Sequence, residues 1–207
     1  MNEPTKVAQQ APFFKSILEY VELFVLCLSA ILLLFSSGLR LCVVSGASMM
    51  PTLKDGQLVV TSNVFYQPKT GDVVVFHSTS DTVDRFNEPM IKRVIATQGQ
   101  TVVIDFANKS VTVDGQTLDE DYIQLIYNGE YSLFAEHHMQ YLPSSDGAAY
   151  RPVFSATVPE GTMFVMGDNR NDSSDSRTSA IGFVDTRRIL GKVVLRLTPL
   201  EAFGPVT

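Results

Sequence analysis

The most prominent pattern along the chain is a long apolar run that follows a polar stretch. Residues 1–16 are mostly polar, residues 17–44 are predominantly apolar, and no charged side chain lies between Leu23 and Leu39. A helix rises 1.5 Å per residue, so this run approaches the roughly 30 Å thickness of a bilayer core. The pattern predicts a leader, 1–16, and a transmembrane anchor, 17–44.

Two alternatives to a membrane anchor also have a long apolar run: a cleavable signal peptide and a buried helix of a soluble domain. A cleavable signal needs a shorter apolar core, a basic start and a small-residue cleavage site. A core helix that is apolar on all faces needs a large domain around it. Lys6 and Lys15 precede the run whereas only Arg40 follows it closely, which favours a cytoplasmic N-terminus. No second apolar run of spanning length follows residue 44, so we expect a single span with the remainder on the outer face.

From residue 45 onward, short β-type segments alternate with turn residues. The pair Asp114-Gly115 is a strong hairpin signal. Residues 124–155 lack a clear pattern and predict an inserted, mobile excursion. The expected fold of residues 45–207 is therefore mainly β, an antiparallel sheet or partly closed barrel. The predicted strands are Gln57–Ser62, Asp72–His77, Ile91–Ala96, Thr101–Asp105, Lys109–Val113, Met163–Met166 and Lys192–Leu197.

Charge and cysteine content narrow the possible functions. The net charge of −6 argues against nucleic acid as a partner. The two cysteines, Cys27 and Cys42, lie in or beside the apolar run, so a disulfide framework is excluded. No Cys/His spacing indicates a metal site, and we expect no metal or organic cofactor.

Candidate chemistry begins at Ser48, directly after the predicted anchor. Gly46 and Pro51 bracket it with residues that suit a tight turn, as an exposed nucleophile needs. A plain turn serine has the same surroundings.

Lys92 lies in the apolar strand 91–96, beside Arg93. Successive strand residues face opposite sides, so we expect one of these two cations to face solvent and the other to face inward. An inward lysine has a lowered pKa, which a lysine general base requires. The other interpretation places Lys92 on the wet face of an edge strand.

A third segment, 167–177, is dense in Asp, Asn, Ser and Arg. It could support a site through hydrogen bonds. A calcium loop is the alternative, but the EF-hand spacing is absent.

Together these segments resemble the type I signal peptidases, the bacterial leader peptidase family with a Ser–Lys dyad. The resemblance is carried by four boxes in family order: Ser48-Met-Met-Pro-Thr-Leu53, Gly71-Asp-Val-Val-Val-Phe76, Lys92-Arg-Val-Ile95 and Gly167-Asp-Asn-Arg170 with Ser173-Ser-Asp-Ser-Arg177. It implies a membrane-bound serine endopeptidase that removes signal peptides from secretory preproteins. Those substrates carry small residues before the cut.

The resemblance also implies roles for individual residues. Ser48 matches the nucleophile and Lys92 the general base. Ser173 matches a serine that orients the lysine amine, and Asp175 and Arg177 match a supporting ion pair. Three further expectations surround the oxyanion and the substrate. The backbone N–H of Ser48 is one oxyanion donor. Gly46 stands where some relatives have a serine that assists the oxyanion, so side-chain help is missing there. Met49 is expected either to contact substrate or lipid or to pack in the core.

Rival functions are less compatible with the residues. A Ser–His–Asp triad must use His77, His137 or His138, none of which has a recognisable nucleophile setting. No Ser-x-x-Lys of the penicillin-binding type occurs. Self-cleaving repressor-type Ser–Lys peptidases resemble the catalytic fold but are soluble. A membrane-tethered β scaffold would leave the co-occurrence of Ser48, Lys92 and segment 167–177 unexplained.

Overall fold

The computed structural model describes residues 11–36, 38–78, 88–106, 108–123, 139–143 and 150–206. The chain divides into two units, Met1–Leu39 and Arg40–Thr207. Within the described residues, the first unit contributes one long helix, and the second consists of short strands, turns and short 3-10 helices at Thr186–Arg188 and Leu200–Ala202.

The helix of the first unit, α1, runs from Ala11 to Ser36. Its 26 residues extend about 39 Å at the usual helical rise. The window Ser16–Leu33 is apolar enough to cross a membrane, and none of it is buried. These features fit the predicted anchor in length and composition.

The end of the anchor was predicted too far along the chain. Gly38 has a φ of +98°, a left-handed conformation that commonly ends a helix. A strand, β1, then follows at Leu39–Val43. An apolar run does not by itself distinguish a helix from a strand, so residues 39–44 were wrongly assigned to the anchor. The helix also begins inside the predicted leader, whose residues 1–10 lie outside the described residues.

The second unit forms two antiparallel sheets, which confirms the mainly β fold. The strands after β1 are β2 Leu58–Ser62, β3 Val73–His77, β4 Pro89–Thr97, β5 Thr101–Asp105, β6 Ser110–Val113, β7 Gln116–Thr117, β8 Met139–Pro143, β9 Tyr150–Thr157, β10 Thr162–Met166, β11 Val184–Asp185, β12 Ile189–Arg196 and β13 Gly204–Pro205. The main sheet has the order β1-β2-β12-β3-β4-β10-β11, with β13 paired to β12. The smaller sheet has the order β7-β6-β5-β9-β8.

All seven predicted strands are present, with ends that differ by at most a few residues. The Asp-Gly hairpin is also confirmed, because Asp114 and Gly115 both have positive φ between β6 and β7. This is the backbone of a type I′ turn, which matches the twist of the two strands.

The interpretation of 124–155 as a mobile excursion is wrong for two stretches. Residues 139–143 form β8, and residues 150–157 form β9, which pairs with β5 along most of its length. Polar residues and Pro152 interrupt the apolar alternation in β9, so its strand character depends on a partner distant in sequence. The other parts of this range, including His137 and His138, lie outside the described residues.

The main sheet is covered on both faces, and this positions the site. β3 alternates Val73 and Val75 into one apolar cluster with Val74 and Phe76 in another. A third cluster joins β4 and β10 to the smaller sheet. The smaller sheet lies in the chain between β4 and β10, which are neighbours in the main sheet. The strand that carries Lys92 is therefore flanked by packed structure.

Candidate active site

The turn that carries Ser48 is held between the core and the loop 167–177. Met49 and Leu53 are fully buried and anchor the turn in one apolar cluster. The backbone closes it, since Met50 N donates to Ala47 O over 3.0 Å and Leu53 N donates to Met49 O over 2.9 Å. Ser48 itself is half-buried and lines a cleft.

Gly46 begins this turn with a φ of +84°, where a residue with a Cβ would be strained. Its N–H donates to Asp55 Oδ1 over 2.8 Å. Gly46 thus has a backbone role in shaping the turn. Met49 is only 1% exposed, so its core role dominates, although it also lines the cleft.

Lys92 lies near the middle of β4 and reaches Ser48. Its side chain is buried, and the distance from Nζ to Ser48 Oγ is 2.7 Å. Burial lowers the pKa of Lys92, the Asp175 carboxylate acts to raise it, and the Arg177 guanidinium lowers it further. The net direction is downward. Among the described residues, no carboxylate lies within ion-pair distance of Nζ. The lowered pKa increases the share of the neutral amine, which is the form that general base chemistry requires.

Arg93 is also buried, so the expectation that one of the two cations faces solvent is wrong. The strand does send the two side chains to opposite faces, but both faces are covered. Arg93 Nε donates to Asp168 Oδ1 over 2.8 Å, and Nη2 donates to Asp168 Oδ2 over 2.7 Å. Its Cζ lies 3.9 Å from the centre of the Tyr122 ring. Thr52 Oγ1 also donates to Asp168 Oδ2, so this carboxylate joins β4 to the Ser48 turn.

The loop 167–177 passes directly beside the Ser48 turn. Asn169 N donates to Ser48 O over 3.0 Å, and Asn169 Nδ2 donates to Ala47 O over 3.2 Å. A Cβ added at Gly167 would overlap the Ser48 carbonyl oxygen and the Ser173 side chain. Only glycine therefore fits where the loop approaches the turn.

Asp175 is the centre of the loop. It is fully buried and accepts hydrogen bonds from Ser173 Oγ over 2.7 Å, from Gly167 N over 2.9 Å and from Arg177 Nε over 2.8 Å. Burial acts to raise the pKa of Asp175, but the charge of Arg177 and the hydrogen bonds from Arg177, Gly167 and Ser173 together outweigh it, and the pKa is lowered. Asp175 and Arg177 thus form the ion pair that the family resemblance implies.

Ser173 is placed differently from its expected role. Its hydroxyl donates to Asp175, and among the described residues no hydrogen bond joins Ser173 to Lys92. Ser173 is buried, and its hydrogen bond to Asp175 connects it to the site.

A cleft of about 850 Å³ brings the two candidate groups together. One wall is β1 with the Ser48 turn, and the other is the start of β4. Its apolar lining includes Val75, Met90, Ile91 and Leu190, and its charged residues are Arg40, Glu88, Lys92 and Asp172. His77 is exposed at the end of β3 and does not line the cleft. The described residues contain no cluster of three or more His, Cys, Asp or Glu suited to a metal.

Three residues around the site were not identified from the sequence. Thr52 contacts Asp168, Tyr122 stacks on Arg93, and Glu120 pairs with Arg170. Thr52 belongs to a box that the sequence analysis did single out. Glu120 and Tyr122 follow β7 in a segment without a motif, and only the tertiary contacts reveal them.

The known proteins to which this chain is similar are signal peptidases. The family model described as "Signal peptidase, peptidase S26" matches residues 17–198. Signal peptidase IB of Staphylococcus aureus (strain COL) is 35% identical over 168 residues, which covers 77% of this chain and 78% of that protein. Probable signal peptidase I-1 of Synechocystis sp. is 36% identical over 163 residues, covering 76% and 70%. The crystal structure of a signal peptidase I from Enterococcus faecalis V583 matches with a TM-score of 0.42 and 27% identity over 62% of this chain and 98% of that one.

Proposed function

The chain belongs to the signal peptidase family, peptidase S26, and we propose that it cuts signal peptides from secretory preproteins with Ser48 as nucleophile and Lys92 as general base. Membership of the family confirms the resemblance inferred from the four boxes and makes the chain a membrane-associated, serine-type signal peptidase. The assignment of roles to residues depends chiefly on one observation, the 2.7 Å between Lys92 Nζ and Ser48 Oγ.

The proposed reaction has two steps. Ser48 Oγ attacks the scissile carbonyl carbon while its proton passes to the neutral Lys92 amine, which then protonates the leaving amine of the mature protein. The signal peptide remains as an ester on Ser48. Lys92 next takes a proton from water, the resulting hydroxide attacks the ester, and the proton returns to Ser48 Oγ. No metal or cofactor is needed in either step.

The negative oxygen formed in each step needs a hydrogen-bond donor. Within the part of the chain that the structure describes, the backbone N–H of Ser48 donates to no acceptor, so it is available to the oxyanion. Gly46 offers no side-chain donor and its own N–H is held by Asp55. The Ser48 N–H is therefore the proposed oxyanion donor.

The cleft suits an extended peptide. β1 is an edge strand of the main sheet, and residues 89–92 of β4 pair only with β3 among the described residues. Both edges can accept an added strand, which leaves the scissile bond near Ser48. Apolar side chains such as Val75, Met90 and Ile91 line part of the cleft, which favours uncharged residues in the substrate.

For the membrane topology we propose a single span with a cytoplasmic N-terminus and the catalytic unit on the outer face. The apolar window of α1 and the cation distribution support this. The signal peptide of a substrate lies in the same bilayer, so tethering raises the effective concentration of enzyme at the cut. We propose three divisions of the chain: a leader, 1–16, an anchor that ends at Ser36, and a catalytic unit that begins at Arg40.

The test replaces each proposed group singly. Ser48→Ala and Lys92→Ala should each lower processing of a secretory precursor in membranes at least ~10³-fold, the order of loss seen when a nucleophile or its base is removed. Ser179→Ala, at an exposed serine outside the cleft, and Lys54→Ala, at an exposed lysine, are the matched controls and should process normally. Normal processing by S48A or K92A would contradict the assignment.

A further inference from the structure

Residues 118–123, which we call the strap, leave the smaller sheet and contact the structure around the dyad. Leu118 packs against the core of the smaller sheet, and its N–H donates to Val111 O over 2.9 Å. Glu120 and Tyr122 then contact two arginines that flank the site. Strands β4 and β10 already connect the smaller sheet to the surroundings of the dyad. Within the described residues, the strap provides a separate connection.

Glu120 forms a two-pronged ion pair with Arg170. Arg170 Nη1 donates to Glu120 Oε2 over 3.1 Å, and Nη2 donates to Oε1. The side chains are only 1% exposed for Arg170 and 9% exposed for Glu120. A buried ion pair of this kind is seldom more stabilising than apolar residues of similar volume, but it restricts geometry because two parallel hydrogen bonds must be satisfied.

Arg170 passes this restriction to the loop 167–177. Its Nε donates to Gly167 O over 3.1 Å, at the close approach to the Ser48 turn. Its carbonyl oxygen accepts from Arg177 Nη1 over 2.8 Å. Arg177 in turn holds Asp175. A displacement of Arg170 would therefore move both the turn contact and the buried ion pair.

The strap also contacts the strand that carries the base. The Tyr122 ring lies against the guanidinium of Arg93, and Arg93 is next to Lys92 in β4. Burial raises the pKa of Tyr122 to about 12, so the ring stays neutral at physiological pH. One segment thus contacts the two elements whose separation sets the environment of Lys92.

We propose that Glu120 is a positioning residue, which acts through Arg170 to hold the loop 167–177 against the Ser48 turn beside Lys92. The inference rests on the proposed dyad. It adds a residue outside the cleft that keeps Lys92 shielded from water and aligned with Ser48. Glu120 does not line the cleft, so it has no direct contact with substrate, and its main effect is expected on the reaction step.

The consequence for Lys92 can be measured. The charged groups that influence its pKa are Asp175, Arg177, Asp168 and Asp172. Glu120 is not among them, so removing its charge acts on Lys92 only through the loop. If the loop loosens, water reaches Nζ, the effect of burial weakens, and the pKa of Lys92 rises.

The experiment compares Glu120→Gln with Asp119→Asn in the full-length enzyme in detergent micelles. Asp119 is an exposed carboxylate in the same strap, so D119N controls for the loss of one charge. For E120Q we expect kcat to fall about tenfold with little change in KM, as a small misalignment would produce. We also expect the acid limb of the kcat/KM profile to move about half a pH unit upward. D119N should match the wild type.

A lower Tm for E120Q with an unshifted pH profile and unchanged kcat per folded molecule would overturn the proposal, because that is the result of a purely structural role. Glu120→Asp keeps the charge on a side chain shorter by one methylene, and should lie between the wild type and E120Q in both readouts. If E120Q folds poorly, E120D decides, and a wild-type profile in it overturns the inference. Activity remaining in S48A or K92A would instead contradict the dyad. That outcome is distinguishable from a failure of the Glu120 proposal, because it is measured in different variants.

Discussion

The two faces of β4 place adjacent cations in opposite chemical situations. On one face Lys92 is buried beside a hydroxyl, with no carboxylate within ion-pair distance among the described residues. On the other face Arg93 is equally buried, but Asp168 accepts two of its hydrogen bonds and Tyr122 covers its plane. Burial alone therefore does not decide what a cation does, because the partners on each face differ.

The difference teaches which residue type each face can use. Burial disfavours charge, and a lysine can respond by losing its proton, whereas an arginine remains charged in proteins and must be paired. The face with a hydroxyl thus suits the proposed base, and the face with a carboxylate provides a fixed connection between β4 and the loop 167–177. Each of the following predictions exchanges or removes one side of this contrast.

The largest effect is expected when the base becomes permanently charged. Lys92→Arg keeps a buried cation beside Ser48 but cannot accept a proton, so kcat/KM should fall by about 10³-fold or more. The measurement is precursor processing in membranes or micelles. Lys192→Arg is the control, since Lys192 is also a strand lysine but pairs with Asp72 and does not line the cleft. Substantial activity in K92R would show that a different group takes the proton.

Breaking the opposite face should chiefly reduce stability. Arg93→Met leaves Asp168 buried without its guanidinium, and we expect the free energy of unfolding to fall by about 3–5 kcal/mol. Chemical denaturation of the full-length protein in micelles provides the measurement. The double variant R93M/D168L removes both charges and should lose less than R93M alone. Arg187→Met, at an exposed pair with Asp185, should have no measurable effect. If R93M were no worse than R187M, Asp168 would not need its partner.

The smallest effect is a pH dependence of stability. Because the pKa of Lys92 is lowered by folding, the unfolded chain binds more protons between that value and the ordinary lysine value. Stability should therefore rise with pH in that window, by at most about 1.4 kcal/mol per pH unit, and the gain is absent below the folded pKa. Lys92→Met removes this contribution.

The comparison is made as the difference between the wild type and K92M. Tyr122 has a pKa raised to about 12 and contributes the opposite slope at high pH, but it is present in both proteins and cancels. Identical slopes in the wild type and K92M would mean that folding does not alter the proton affinity of Lys92.

Local patterns predicted the elements that depend on neighbouring residues. The Asp114-Gly115 hairpin followed from a turn that only such residues adopt readily, and the strands around Val73 and Val94 followed from their β-branched runs. The predictions failed where the pattern is ambiguous. Leu39–Val43 is as apolar as the helix before it, and Tyr150–Thr157 becomes a strand by pairing with β5.

The site shows the same division. The four boxes identified Ser48, Lys92, Asp175 and Arg177 because each box contains its own unusual residues in one short stretch. Alternation put Lys92 and Arg93 on opposite faces, but the expectation that one of them faces solvent was wrong, because both faces are covered. The partners of Arg93 are Asp168 and Tyr122, which are distant from it in sequence. No local pattern indicated Glu120, since its proposed role depends wholly on its contact with Arg170.

By itself the sequence determined the family, the mainly β class and the apolar helix, and it was enough to propose the two reacting groups, because these depend on residue types within short windows. The tertiary structure alone decided where the helix ends, that both faces of β4 are covered, and that Nζ of Lys92 lies 2.7 Å from Ser48 Oγ. The physical reason is that burial and pairing are properties of distant segments brought together. A base is made when packing removes its water and withholds a counter-charge, and no local pattern encodes both conditions.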